Sequence, residues 1–456
     1  MKLRASVFCL YLLLVLTCLM SGQGREPYPK AATDNRIHPK KAFAPPPRNV
    51  PFKDPDFGSA MVRATDEATN YLFPGTSLLT DGSGEQNFWS ADSKKFYVMG
   101  YGGRDFAFAF DPATMKVSSL PNAAKGQGLL LPLRPGATFS FRNPDLIFGT
   151  HPHEPLAVVS YRFSTNTLST IVDTRTCGVQ PPLGTGPRVR SDDDVSLSLD
   201  DSRVSISEGG PEGDKHMFVI VYDKRLGCRW YNTQTGQIGG QWGATGWANV
   251  STPYLIHHAY LSRSGQYVLI MASGGITGWY VWHLDTLQLD SCEIGSGKQC
   301  GGYKVIGYNS IVNGSAILGD MQVAKRSLSD LTQVIQLVWP VAFRWGVTQH
   351  FSWTNVTATD SVPVCLSTYE YEDNQAEMIE PYQGEIDCVE TDGLQSTVWR
   401  FAHNRATFVE GVFHSQPLGS VSRDGRFFAF QSNWDEQLGY LSNGEPRADV
   451  WIVKLE

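Results

Sequence analysis

Past residue 85 the chain is patterned in short runs whose apolar positions recur with a period near two, as in Lys95-Phe96-Tyr97-Val98, Arg203-Val204-Ser205-Ile206, Gln266-Tyr267-Val268-Leu269-Ile270 and Arg426-Phe427-Phe428-Ala429-Phe430. Such runs predict β-strands, and nothing beyond roughly the first twenty residues keeps the period of a buried helix face. Each run follows a polar turn of one kind: Ser90-Ala91-Asp92-Ser93, Ser198-Leu199-Asp200-Asp201, Ser262-Arg263-Ser264-Gly265 and Ser422-Arg423-Asp424-Gly425. Asp or Ser followed by Gly supplies hairpin geometry. Ser352-Trp353-Thr354-Asn355 is a fifth copy, and Phe141 to Phe148 and Tyr308 to Val312 are degenerate ones.

Anchors at 90, 142, 198, 262, 309, 352 and 422 step by 43 to 70 residues. Outer turns recur between them at Asp111-Pro112-Ala113-Thr114, Asn232-Thr233-Gln234-Thr235-Gly236 and Leu284-Asp285-Thr286-Leu287. Repeats of this size cannot bury their faces alone, so the expected fold is all-β, a single seven-bladed β-propeller of four-stranded blades over residues 57–456. The alternating segment Asp449 to Leu455 is expected to close the ring, with a partner around Tyr71-Leu72-Phe73 or Ser77-Leu78-Leu79.

The start of the chain changes the picture of where this fold works. Lys2 and Arg4 precede an uncharged apolar stretch from Ala5 to Met20, and small or polar residues follow to Gly24. This layout reads as a signal peptide over residues 1–24, giving a secreted or periplasmic protein; lipid anchoring at Cys18 is the less favoured alternative. Residues 25–56, with Pro45-Pro46-Pro47 at their middle, read as an extended leader. Six cysteines then remain in the mature chain, and export makes disulfides plausible, Cys292 with Cys300 and Cys365 with Cys388 being the nearest pairs. No later segment is apolar enough to span a membrane, and a monomer is expected. A net charge of −7 gives no footprint for nucleic acid.

The segments His258 to Leu269 and Ser422 to Ser432 resemble TolB-type blades, which also occur in oligogalacturonate lyases. This resemblance covers most of residues 85–456 and implies fold more than function. It implies, for the lyase branch, a metal held in the channel by His and Gln, with a His and an Arg in catalysis. By that analogy His258, His350 and Gln349 would be ligands of one divalent ion, Mn or Zn, and His403 and Arg400 would be catalytic.

From the residues themselves, His258, His350 and His414 stand just ahead of three different blade turns, and Gln416 and Arg405 lie in the same approaches. Side chains so placed are expected to meet at a channel mouth, with His414, Gln416 and Arg405 contacting ligand. The plain alternative for Trp399-Arg400-Phe401-Ala402-His403 is an amphipathic strand packed inside a blade. Two functions therefore stand open: a secreted propeller binding a glycan, peptide or envelope partner, and a metal-assisted polysaccharide lyase acting on an acidic polymer.

Overall fold

The computed structural model describes residues 27–80, 86–100, 102–180, 183, 191–209, 216–250, 253–273, 278–293, 303–317, 320–338, 348–369, 380–394, 397–412 and 415–456. They form seven antiparallel sheets arranged as a seven-bladed β-propeller. Blade 1 contains Leu78–Leu79, Lys95–Gly100, Arg104–Asp111 and Lys116–Ser118, with Leu129–Leu130 also paired to its third strand. Blade 2 contains Thr138–Phe139, Leu146–Thr150, Ala157–Arg162 and Thr167–Asp173. Blade 3 runs from Ser191–Leu197 through Arg203–Gly209, His216–Asp223 and Gly227–Asn232, and Gln237–Gly240 and Gly246–Trp247 widen it. Blade 4 is Leu255–Leu261, Tyr267–Ser273, Gly278–His283 and Leu289–Glu293; blade 5 is Lys304–Ile306, Ser310–Ile317, Asp320–Ser327 and Asp330–Gln336. Blade 6 is Thr348–Ser352, Val364–Tyr369, Glu385–Val389 and Val398–His403. A short 3-10 turn, Thr174–Cys177, follows the last strand of blade 2.

The repeated turn joins the innermost strand of a blade to the second. In blades 1, 3, 4 and 7 its Ser hydroxyl accepts the amide of the fifth residue onward, Lys95, Arg203, Tyr267 or Phe427, at 2.9, 3.0, 3.1 and 3.0 Å. The Ser carbonyl accepts the amide of the third residue onward: Ser93, Asp201, Gly265 or Gly425. That third residue is left-handed, with φ of 56°, 58°, 73° and 71°. Glycine takes this conformation freely, whereas Ser and Asp carry a steric cost. Ser93 and Asp201 are retained there because each binds the next blade. Ser93 Oγ accepts the Asp424 amide at 3.1 Å, and Asp201 accepts the Ser140 hydroxyl and the Phe141 amide at 2.5 and 3.0 Å.

Strand alternation then serves both neighbours of a blade. In Phe427–Ser432, Phe427 and Ala429 pack with Trp89, Phe96 and Phe110 of blade 1, while Phe428 and Phe430 pack with Cys388, Trp399 and Phe401 of blade 6. Every residue of this strand is buried. This strand therefore has no solvent-facing side, and its Gln431 and Ser432 are buried along with the apolar residues.

Blade 7 closes the ring from both ends of the chain. Gly419–Val421, Phe427–Ser432 and Asp449–Lys454 come from the C-terminal end, and Ala60–Arg63 pairs beyond them, Met61 opposite Val453 and Arg63 opposite Trp451. The closing partner is thus Ala60–Arg63. The segment at Leu78–Leu79 pairs with Gly100 and Met99 of blade 1 instead, and Tyr71 to Phe73 is a turn. A still more N-terminal strand, Phe52–Lys53, pairs outside Ala60–Arg63. Buried Asp449 locks the junction, accepting from Arg63 at 2.9 and 2.5 Å and from Arg447 at 2.7 Å. Disulfides join Cys365 to Cys388 on facing strands of blade 6 and Cys177 to Cys228 in blade 3 and the turn leading to it. Cys292 is also disulfide-bonded; Cys300, its expected partner, lies outside the described residues.

Removing the Asp449 carboxylate leaves the Arg63 and Arg447 guanidiniums only the exposed Glu67, 3.7 Å from each, as counter-ion. Asp449→Ala is expected to lower unfolding stability by about 3–5 kcal/mol in urea titrations, and a loss under about 1 kcal/mol would remove this ion cluster from the closure.

Candidate functional site

At the turn end of the channel, the residues after three of the turn serines, Ser140, Ser262 and Ser422, come together. Phe141 of blade 2, Arg263 of blade 4 and Arg423 of blade 7 meet there, the guanidiniums lying 4.8 and 5.6 Å from the Phe141 ring centroid. None of these blades adjoins another of the three, so their contact fills the axis at this level. Arg263 is fully buried and donates to Leu197 O at 3.1 Å. The sequence carried a signal for this plug, since Arg263 and Arg423 follow Ser in identical turn positions.

Farther along the axis, the innermost strand of blade 6 brings His350 against residues of blades 5 and 7. His350 Nε2 lies 2.8 Å from Gln416 Oε1, an acceptor only, so Nε2 carries the proton. Nδ1 is then a bare lone pair, buried and without a hydrogen-bond partner among the described residues. Tyr369 stacks on the imidazole at 5.4 Å, Tyr303 lies 4.0 Å from it, and the Tyr369 hydroxyl donates to Gln416 Oε1 at 3.3 Å. Burial pulls the His350 pKa down to about 4, against the raising effect of Gln416. The imidazole is therefore neutral at physiological pH. Tyr303 and Tyr369 were missed from sequence, where nothing distinguishes them from core tyrosines.

Adjacent residues of a strand face opposite sides. Gln349 accordingly points away from His350 and lies against Gly314 of blade 5, where a Cβ would collide with its amide. The two do not form a paired ligand set. His258, on the innermost strand of blade 4, is half-buried and stacks on Tyr260 at 5.6 Å beside His257. Among the described residues no three His, Cys, Asp or Glu side chains gather closely enough to hold a metal ion. The neutral His350–Gln416 pair, with one bare nitrogen, does not by itself fit a divalent centre. His414 lies outside the described residues.

Arg400, His403 and Arg405 stand elsewhere. Arg400 and His403 belong to Val398–His403, the outermost strand of blade 6, three strands from His350. There they anchor residues 27–57, the stretch read as a leader, which runs along the outside of blades 6 and 7. Arg400 donates its amide to Ala32 O at 2.9 Å and its guanidinium to Asp34 O and Arg36 O at 2.9 and 2.7 Å. Arg405 donates to Lys41 O at 2.8 Å, and His403 lies 3.7 Å from Asp56 and edge-on to Phe57. Tyr28 wedges against Trp399 and Phe401, and Lys40 pairs with Asp435. Catalysis in the channel by Arg400 and His403 is replaced by strap anchoring, because inner and outer strands share one alternating pattern.

Beneath the strap, Arg400 forks onto Glu385 at 2.8 and 2.6 Å. Asp387, two residues along the same strand, is fully buried beside Glu385. Burial first, and the Glu385 charge second, push the Asp387 pKa well above its ordinary value. Asp387 is the member of this pair that stays neutral.

With this geometry in place, the fold is similar to that of solved oligogalacturonate lyases. One, in complex with manganese, aligns with a TM-score of 0.56 at 11% identity, covering 93% of this chain and 99% of that one. Another, from Vibrio parahaemolyticus, aligns at 0.55 with 11% identity and the same coverages. By sequence, no protein-family model and no curated protein matches the chain. The class defined is a seven-bladed β-propeller, and at such identity the likeness is one of fold alone.

Two titrations follow. A neutral buried His350 resists protonation that the unfolded chain accepts below its ordinary value of 6.5, so stability falls as pH drops from about 6.5 towards 4. His350→Gln should flatten this acid limb by about 3 kcal/mol in urea midpoints taken across that range. Asp387 behaves oppositely: the folded state keeps a proton that the unfolded chain releases above about pH 4. Asp387→Asn should therefore match the parent near pH 4 and gain stability over it by pH 8. Glu385→Gln, which leaves Arg400 only Asp34 as carboxylate partner, should lose stability most above about pH 7, where the Glu385 carboxyl, raised by burial to about 7, is charged.

Proposed function

We propose that this chain is an exported propeller that binds an extracellular ligand, with a glycan as the favoured class, at the channel mouth around His350, Gln416, Tyr303 and Tyr369. The observation supporting this reading is that blades 5, 6 and 7 each contribute to one cluster of aromatic rings and neutral hydrogen-bonding groups. Aromatic faces set beside a few directed polar groups are the chemistry of a small-ligand or sugar site. Half-buried Tyr303 is the member nearest solvent. Two disulfides, and the lack of any described helix long and apolar enough to cross a membrane, are compatible with an extracellular or periplasmic place.

A second reading, a metal-assisted lyase acting on an acidic polysaccharide, is favoured by the likeness of fold to a lyase solved with manganese. One preparation separates the two. Protein purified without chelator is applied to a glycan array, analysed for bound elements, and incubated with oligogalacturonate while unsaturated product is followed by ultraviolet absorbance. The binding reading expects a glycan signal that Tyr303→Ala weakens about tenfold, with no turnover. About one Mn or Zn per chain with chelator-sensitive turnover would replace it with the lyase reading.

A further inference from the structure

Outside the Phe141 plug, the turn face carries a cleft of about 880 Å³. The strap, the turns of blades 1, 2, 6 and 7 and the C-terminal residues line it, and its size suits a small ligand or a few peptide residues. Its cations are not equivalent. Arg426 and Lys30 both lean on Glu456, at 3.2 and 3.9 Å. Arg423 makes no ion pair among the described residues. Its Nη1 is fixed by the carbonyls of Thr354 and Val356 at 3.3 and 3.1 Å, and its plane is set near the Phe141 ring. Nε and Nη2 have no hydrogen-bond partner among the described residues. The nearest field on it is that of Asp201, whose carboxylate is already engaged by Ser140 and Phe141.

A half-buried guanidinium pinned on one edge and open on the other is preorganised for a carboxylate, which it can bind through two parallel hydrogen bonds. The surrounding walls are Pro27, Pro29, Val362, Pro363 and Leu455. They suit an apolar side chain. Sugars would find no open aromatic face, because guanidinium groups occupy the space beside Phe141.

We propose that this cleft is a second ligand site, taking the C-terminal end of a peptide with its carboxylate on Arg423 and its last apolar side chain against Val362, Pro363 and Leu455. The site stands apart from the His350 cluster, since none of His350, Gln416, Tyr303 and Tyr369 lines the cleft.

The test is isothermal titration of the mature chain with N-acetyl-Ala-Pro-Leu as free acid and as C-terminal amide, beside digalacturonate. The free acid should bind at least about tenfold more tightly than the amide, the loss of one charge-assisted contact being sufficient for that ratio. Arg423→Gln should remove the difference between acid and amide. Because Arg423 also ties blade 7 to blade 6, a second variant guards the result: Thr357→Trp, at an exposed wall position, should abolish binding of the acid while leaving the thermal midpoint unchanged. Equal binding of acid and amide, no binding of either, or tighter Arg423-dependent binding of digalacturonate would each overturn the proposal.

Discussion

Everything in this molecule depends on closing the ring. A blade whose second strand is buried on both faces, as Phe427–Ser432 is, has no stable solvent-facing state, so each sheet needs two neighbours. Seven sheets in a row would leave two such faces open. The chain solves this by sending Ala60–Arg63 to complete the sheet begun by its own C-terminus, and by burying Asp449 between Arg63 and Arg447 at the seam. The ion cluster needs all three groups, since a lone charge at that depth would oppose closure. Phe52–Lys53 and the strap extend the same seam outward across blades 6 and 7.

The turns that make the repeat visible are also what fasten the blades to one another. Lys95 Nζ reaches Pro144 O between blades 1 and 2, Asp201 holds blade 3 to blade 2, and the Leu199 amide bonds Arg263 O from blade 3 to blade 4. The Arg263 amide continues to Gly307 O of blade 5. Asp360, left-handed at φ 49°, accepts the Tyr308 and Asn309 amides between blades 5 and 6. Arg423 joins blades 6 and 7, and Ser93 returns the circuit to blade 1. Seven junctions are thus made by one structural device, and residues bearing left-handed strain sit where a side chain spans a junction. Local strain is retained here for an inter-blade bond.

The blade count and the turns were legible because a seven-fold device repeats in sequence even where individual residues vary. Blade 2 shows the limit: its anchor was read at Arg142, whereas the hydrogen-bonding role belongs to Ser140, which accepts the Arg142 and Asn143 amides. The closing partner was misplaced because Tyr71-Leu72-Phe73 and Ala60-Met61-Val62 are equally short and apolar, and only tertiary pairing separates them. The site was less legible still. Position before a turn correctly placed His350 and Gln416 together, through 66 residues of intervening chain. The same reasoning misassigned Arg400 and His403, since alternation does not reveal whether a strand lies first or fourth from the axis. Nor does it reveal that a Pro-rich segment, which reads as unattached spacer, carries carbonyls and carboxylates matched to those very cations.

That misassignment clarifies how charge is distributed in this fold. The outer edge of blade 6 concentrates Arg400, Arg405, Glu385 and Asp56 in a dry cluster under the strap, where each charge is occupied in fastening chain to chain. The His350 pocket, by contrast, is built from neutral groups. At the turn face, Arg263 is fully buried and donates Nη1 to Leu197 O, whereas Arg423 is only half-buried, lines the cleft and has Nη1 alone engaged among the described residues. The two places share no residue, the cleft being lined by Phe141 and Arg423 and the neutral pocket by His350, Gln416, Tyr303 and Tyr369.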